Sequence, residues 1–120
     1  MGKFQELKVW QKSKDLAVRI YRMTNEGKIS KDFELKNQIR KSAVSIPSNI
    51  AEGDELDTDK QSVRHFYIAK GSTAELYTQL IIAYEVGYLE DAIYKELEKE
   101  CEETSAMLHK LINYRSKSNR

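Results

Sequence analysis

The segment from Gln38 to Gly53, QIRKSAVSIPSNIAEG, constrains this chain more than any other, because it carries two heptad-spaced seams side by side. Ile39, Ala43, Ile46, Ile50 and Gly53 step by four, three, four and three residues, which lays an apolar and small-residue stripe along one face of a helix. Gln38, Ser42, Ser45, Asn49 and Glu52 step in the same way one residue earlier, about 100° round that helix. A helix with one apolar stripe needs one neighbour; this one has contacts to make on two sides. Pro47, the single proline, sits in the middle. It removes the backbone bond to the Ala43 carbonyl and bends the helix. The apolar spacing stays in register from Ile46 to Ile50, so the helix is expected to continue through the bend.

The flanking sequence supplies three more helices and predicts an all-α, antiparallel up-down-up-down four-helix bundle, a single domain over residues 1–120. The first helix is expected from near Glu6 to Asn25, with Val9, Trp10, Ser13, Leu16, Ala17, Ile20, Tyr21 and Met23 inward and Gly27 as its stop. A short loop, residues 28–31, leads to Asp32 as the cap of the second helix. After Gly53 comes an acidic loop with Asp54, Glu55, Asp57 and Asp59, where Thr58 and Gln61 read as a capping box. The third helix carries Phe66, Ala69, Thr73, Leu76, Leu80, Ala83 and Gly87 on one seam, and Tyr67, Ala74, Ile81 and Tyr88 beside it. Gly71 in its interior costs about 1 kcal/mol relative to Ala, which implies close approach by another backbone. Gly87 before Tyr88 fits a left-handed helix end followed by an apolar contact. The fourth helix is expected from Glu90 or Asp91, burying Ile93, Leu97, Cys101, Thr104, Leu108, Leu111 and Ile112, with a frayed tail from about residue 115.

Charge is nearly balanced overall at +1 but segregated along the chain. Residues 1–50 hold eleven Lys/Arg against five Asp/Glu, residues 51–106 five against fourteen, and residues 107–120 four against none. Such segregation suits anionic partners, or contacts between positive and negative faces of neighbouring subunits. A lone cysteine forms no internal disulfide, the charged N-terminus is no signal peptide, and the longest apolar run is too short to span a membrane. The cytoplasm is the expected compartment and no membrane partner is expected.

Catalytic patterns are missing. Carboxylate-bridged metal sites in such bundles use Glu-x-x-His pairs, and neither His65 nor His109 has an acidic residue one turn upstream, so no metal and no cofactor are expected. Cys101 falls on the inward stripe of the fourth helix as a small core residue. There is no phosphate-cradling glycine loop, no Cys-x-x-Cys and no serine elbow. The chain therefore reads as a non-enzyme. What remains is the polar seam: Gln38, Ser42, Ser45, Asn49 and Glu52 around Pro47, with Gly71, Ser72 and Glu75 on the third helix. Hydrogen bonds that fix the register of helices or subunits explain it better than a ligand site. If Glu52 or Glu75 is buried it needs a cationic or donor partner, for which Arg40 is the nearest by type. Trp10 and the tyrosines read as core or interface anchors rather than base-stacking platforms.

SIPSNIAEG, with Asp32, Phe33 and Leu35 before it and Phe66, Ala69 to Ser72 (AKGS), Glu75 and Gly87 after it, resembles the four-helix-bundle family encoded by intervening sequences in bacterial 23S ribosomal RNA genes. Leu7, Val9, Trp10 and Tyr21 stand where that family has its L-x-V-W and late tyrosine, and the resemblance covers nearly the whole chain. RKSA, Arg40 to Ala43, departs from it, since the family more often has paired arginines and an alanine there. The resemblance implies an all-helical subunit of a pentameric ring, and kinship with retroelement accessory proteins that bind nucleic acid and a reverse transcriptase. Surplus contact surface on the second and third helices also favours self-assembly. Two functions follow. Lys12, Lys14, Arg19, Arg22, Lys36, Arg40 and Lys41, repeated around a ring, would attract the phosphates of structured RNA or another nucleic acid. Alternatively, the ring is a scaffold whose acidic segment and tyrosines meet a protein partner. Charge segregation and family association favour the first.

Overall fold

A computed structural model, describing residues 3–117, forms four α-helices in the order α1 (Lys8–Met23), α2 (Phe33–Asp54), α3 (Asp59–Glu85) and α4 (Asp91–Ser116). They make an antiparallel, up-down-up-down bundle in which each helix packs on its neighbours in sequence and α4 returns to α1. Short 3₁₀ turns, Phe4–Glu6 and Lys28–Lys31, precede α1 and α2. The second replaces the expected open loop because Ile29 turns into the core, where it is 2% exposed.

Each helix end has an identifiable cause. Asp32 Oδ1 accepts from the Leu35 amide at 3.1 Å and so caps α2, while its Oδ2 accepts from the Tyr88 hydroxyl at 3.0 Å and ties the α3–α4 turn to the same point. Thr58 caps α3 by accepting from the Gln61 amide at 3.3 Å. At the other end of α3, Gly87 adopts φ +88°. Its amide donates to the Tyr84 carbonyl, and the Tyr88 amide donates to that of Ala83. Those two bonds are the expected left-handed stop. α1 is shorter than the spacing predicts, ending at Met23 rather than Asn25. There the Thr24 hydroxyl donates back to the Ile20 carbonyl at 2.7 Å.

Val9, Leu16, Ile20, Ile39, Ile46, Ile50, Phe66, Leu76, Leu80, Leu97 and Leu108 form the core with Cys101 and the small residues between them. Hydroxyls inside it are satisfied locally: Ser13 donates to the Trp10 carbonyl, Thr73 to Ala69 and Thr104 to Glu100. α2 runs unbroken through Pro47, which is buried. Three residues of the expected stripes are not inward, since Tyr21 is 45% and Tyr67 57% exposed and Ala74 is exposed as well.

Gly71 also departs from expectation. It is exposed, and a Cβ built there meets nothing within 4 Å, so no backbone of this chain approaches it. The close approach is at Gly53, where an added Cβ would lie 2.8 Å from Phe66 Cε1 and 3.0 Å from His65 Cβ. α4 continues past the point where a frayed tail was expected. Arg115 and Ser116 belong to α4, and Arg115 Nη2 reaches Asp54 Oδ1 at 2.5 Å, fastening the last turn of α4 over the α2–α3 corner. Residues 118–120 lie outside the described residues, as do residues 1 and 2.

Candidate interaction surfaces

The polar seam of α2 faces α3 within the same chain. The Ser42 hydroxyl donates to Glu75 Oε1 at 2.7 Å, and the Ser45 and Ser72 hydroxyls share a hydrogen bond of 2.8 Å. Asn49 donates to the Ser45 carbonyl and hydroxyl, and its Oδ1 lies 3.2 Å from His65 Nδ1. Glu52 stands 3.8 Å from the same imidazole nitrogen. These pairs descend in antiparallel register. The next step of the ladder brings Gln79 level with Gln38, and there it breaks off: Gln79 is 8% exposed with Oε1 unpartnered, whereas Gln38 is exposed. Pro47 is not part of this ladder but faces α1.

Glu52 and Glu75 are both exposed, so neither needs the cation that burial would have demanded. Arg40 goes elsewhere. Its Nε donates to Thr24 Oγ1 at 2.8 Å and its Nη2 to the Tyr21 carbonyl at 3.3 Å, with the guanidinium 4.5 Å from the centre of the Tyr21 ring. It closes the C-terminus of α1, where carbonyls lack partners and the helix dipole favours a cation.

The other candidate cations are also largely engaged. Arg19 forms ion pairs with Glu96 and, at 3.3 Å, Glu100; Lys12 lies 3.8 Å from Glu103. These bridges lace α1 to α4. Lys14 pairs with Asp15 at 2.7 Å and lies over the Trp10 ring, and Lys36 donates to the Ser30 carbonyl and lies over Phe33. Arg22 and Lys41 are exposed and stand within ion-pair distance of no carboxylate among the described residues. Five of the seven are therefore engaged within the subunit. Among the described residues no three His, Cys, Asp or Glu side chains are placed to hold a metal ion, and no helix is long and apolar enough to cross a membrane.

Two grooves open on opposite sides of the bundle. One, between α1 and α2, is lined by Ala17, Val18, Tyr21, Val44 and Pro47 with Lys14 and Arg22 at its margins. The other, about 540 Å³ between α3 and α4, is floored by Thr73, Ala74, Cys101 and Ala106 and bordered by Tyr77, Glu102, Lys70, His109 and Lys110. Towards one end its wall is a network missed in the sequence. Tyr77 donates to Glu98 at 2.7 Å, Tyr94 donates to the same carboxylate at 3.3 Å, and Tyr84 donates to Asp91 at 2.6 Å while stacking on Tyr94 at 4.3 Å. Only the partner helix distinguishes these tyrosines from the others in the sequence, so periodicity within α3 or α4 gives no signal for the network.

A four-helix bundle with short connections, a polar α2–α3 seam and two open side grooves is the class of protein that this geometry defines. The family model for the 23S rRNA-intervening sequence protein matches residues 5–110, and the chain belongs to that family. Among solved structures it is similar to a protein of the S23 ribosomal protein family from Bacteroides thetaiotaomicron, with a TM-score of 0.82 and 24% identity over 88% of this chain and 95% of that one. That likeness concerns the fold alone. Comparison with curated proteins yields no match.

Proposed function

We propose that this chain is a cytoplasmic, non-enzymatic subunit that assembles with copies of itself into a ring, a pentamer in keeping with the family resemblance, and acts as an interaction scaffold. The observation that carries this reading is the pair of apolar grooves on opposite faces, together with exposed Val18, Tyr21 and Val44 on one of them. Exposed apolar clusters of this kind mark association surfaces, and surfaces on different faces make head-to-tail contacts, which close into a ring when the rotation between copies closes and extend as a filament when it does not. The engagement of Lys12, Lys14, Arg19 and Arg40 within the subunit moves the balance from nucleic acid to scaffold. Light scattering at micromolar concentration is expected to report a mass several times 14.0 kDa. A stable species of subunit mass would refute the assembly.

A second reading keeps structured RNA as a partner, and one feature favours it. Lys28 and Lys31 in the 3₁₀ turn, Lys36, Lys41 and Arg22 gather at one end of the bundle. A ring would repeat that end around one rim, and the resulting attraction for phosphates would weaken steeply with salt. The family's description, which places it with 23S rRNA intervening sequences, points the same way. The test is titration of a structured ribosomal RNA fragment at low and moderate salt, with a variant carrying Lys28→Gln, Lys31→Gln and Lys36→Gln beside the native chain. Binding unchanged by salt and by the substitutions, or none at low salt, removes RNA from the account.

A further inference from the structure

Where the 3₁₀ turn Lys28–Lys31 meets the start of α2, the bundle carries an aromatic ring that its core does not use. Phe33 is 68% exposed, and no other ring packs on it among the described residues. The Lys36 ammonium, which donates to the Ser30 carbonyl at 3.2 Å, lies 4.7 Å from the centre of that ring and holds one side of it. Phe33 borders a cleft of about 550 Å³ whose other lining residues are Lys28, Lys31, Asp32 and Tyr88. A 3₁₀ helix has three residues per turn, so Lys28 and Lys31 project on one side of it, about 6 Å apart along its axis. Ile29, buried in the core, anchors that turn. Both lysines are exposed, and neither stands within ion-pair distance of a carboxylate among the described residues. Asp32 is the acid of the cleft, and its two oxygens already accept from the Leu35 amide and the Tyr88 hydroxyl. Glu34 lines the neighbouring cleft with Gln38 and Ile82 instead.

An open aromatic face beside two unpaired ammonium groups matches the chemistry of an unpaired nucleotide, whose base stacks on a ring while its phosphate meets cations. A duplex offers the lysines its phosphates but keeps its bases stacked on each other, so the ring gains nothing from it. Resting on the RNA reading above, we propose that Phe33 is a stacking platform for an unpaired base of single-stranded RNA. Lys28 and Lys31 hold the adjoining phosphate, and Lys36 orients the ring. Phe33 lines neither side groove, so the site is complete within one subunit and stays open whether or not the sides of the bundle are covered. The attraction of the lysines is indifferent to base pairing, whereas the ring makes the site selective for unpaired segments.

The test measures fluorescence anisotropy of a short labelled oligoribonucleotide, as a single strand and as its fully paired duplex, with the native chain and with Phe33 variants at low salt. The single strand is expected to bind more tightly than the duplex. Phe33→Ala should weaken its binding about 5- to 150-fold, the range for losing one stacked base, and leave duplex binding unchanged. Phe33→Leu, which keeps an apolar side chain but no π face, should weaken it as Phe33→Ala does, whereas Phe33→Tyr should bind as the native chain does. None of these changes touches the core, since the side chain is exposed. A variant carrying Lys28→Gln and Lys31→Gln should weaken single strand and duplex alike and reduce the dependence on salt. If the native chain binds RNA but Phe33→Ala binds the single strand equally well, or the duplex competes equally, the stacking site is overturned while the RNA reading stands. Full binding by Phe33→Leu likewise overturns it, because the ring would then serve as plain apolar surface, as for a protein or a lipid. No binding of either RNA by the native chain at low salt overturns both.

Discussion

Two glycines inside helices have opposite surroundings, and substitution should separate them. At Gly53 a methyl group would meet the Phe66 ring at 2.8 Å. That ring is fully buried with the Arg115 guanidinium 5.4 Å from its centre, so it has no room to yield. Alanine gains about 1 kcal/mol of helix propensity there, but overpacking costs ~1–3 kcal/mol, so Gly53→Ala is expected to destabilise the fold by roughly 1 kcal/mol in urea denaturation. Gly71→Ala meets nothing and should stabilise by ~0.5–1 kcal/mol and raise the Tm. A lower Tm at that position would place another copy's backbone over Gly71. Nearby, Arg115 and Asp54 are paired with side chains only 11% and 13% exposed. Losing one partner strands a nearly buried charge. Arg115→Gln is expected to cost about 3 kcal/mol, whereas Asp54→Leu with Arg115→Met should recover much of that, as a double-mutant cycle by chemical denaturation would show.

Among the elements, the α3–α4 seam has a chemistry of its own. Hydrogen bonds from phenol to carboxylate favour the protonated phenol, so Tyr77 is raised by Glu98, Tyr84 by Asp91 and Tyr88 by Asp32, while burial raises Tyr94. The native state thus keeps protons that the unfolded chain releases near the ordinary value of 10.0. The stabilisation is fully present below that pH and is lost as pH rises through the folded values. Alkaline denaturation followed by tyrosinate absorbance should show folded phenols titrating later than in urea, and Tyr77→Phe should flatten the pH dependence of stability. Burial likewise pushes the Cys101 thiol up to about 12, so a thiol reagent at neutral pH should modify it only at the rate of unfolding. Burial of Leu97, Cys101, Thr104, Leu108 and Ile112 was legible in their spacing, as were the Asp32 and Thr58 caps and the Gly87 stop, because those signals are local. The tyrosine network, Arg40 closing α1 and the Asp54–Arg115 bridge were not. Each joins residues on different helices, and a single helix's periodicity carries no information about which side chain its neighbour brings to that height.

Across the whole molecule, 48 Å long and 23 by 21 Å in section, the four helix boundaries are unequal. α2 and α3 share the most extensive interface, with a buried apolar stripe and the serine ladder beside it, whereas α1 and α4 touch least. That weakest boundary is closed at the surface by Arg19 with Glu96 and Glu100 and by Lys12 with Glu103. Exposed ion pairs contribute about 0–1 kcal/mol each and weaken as salt screens them. The α1 edge should therefore open before the α2–α3 pair, a gradient of local stability that hydrogen exchange can read. Amides of α1 are expected to exchange faster than the central amides of α2 and α3, with a gap that widens as salt is raised. Assembly through the α1/α2 groove would cover that edge. In the native oligomer α1 should then be protected well beyond its level in a variant carrying Lys14→Glu and Arg22→Glu at the margins of that groove, while the α3 core changes little. Equal α1 protection in the two would mean that the groove stays open in the assembly, and that the bundle holds its weakest helix without help from a neighbour.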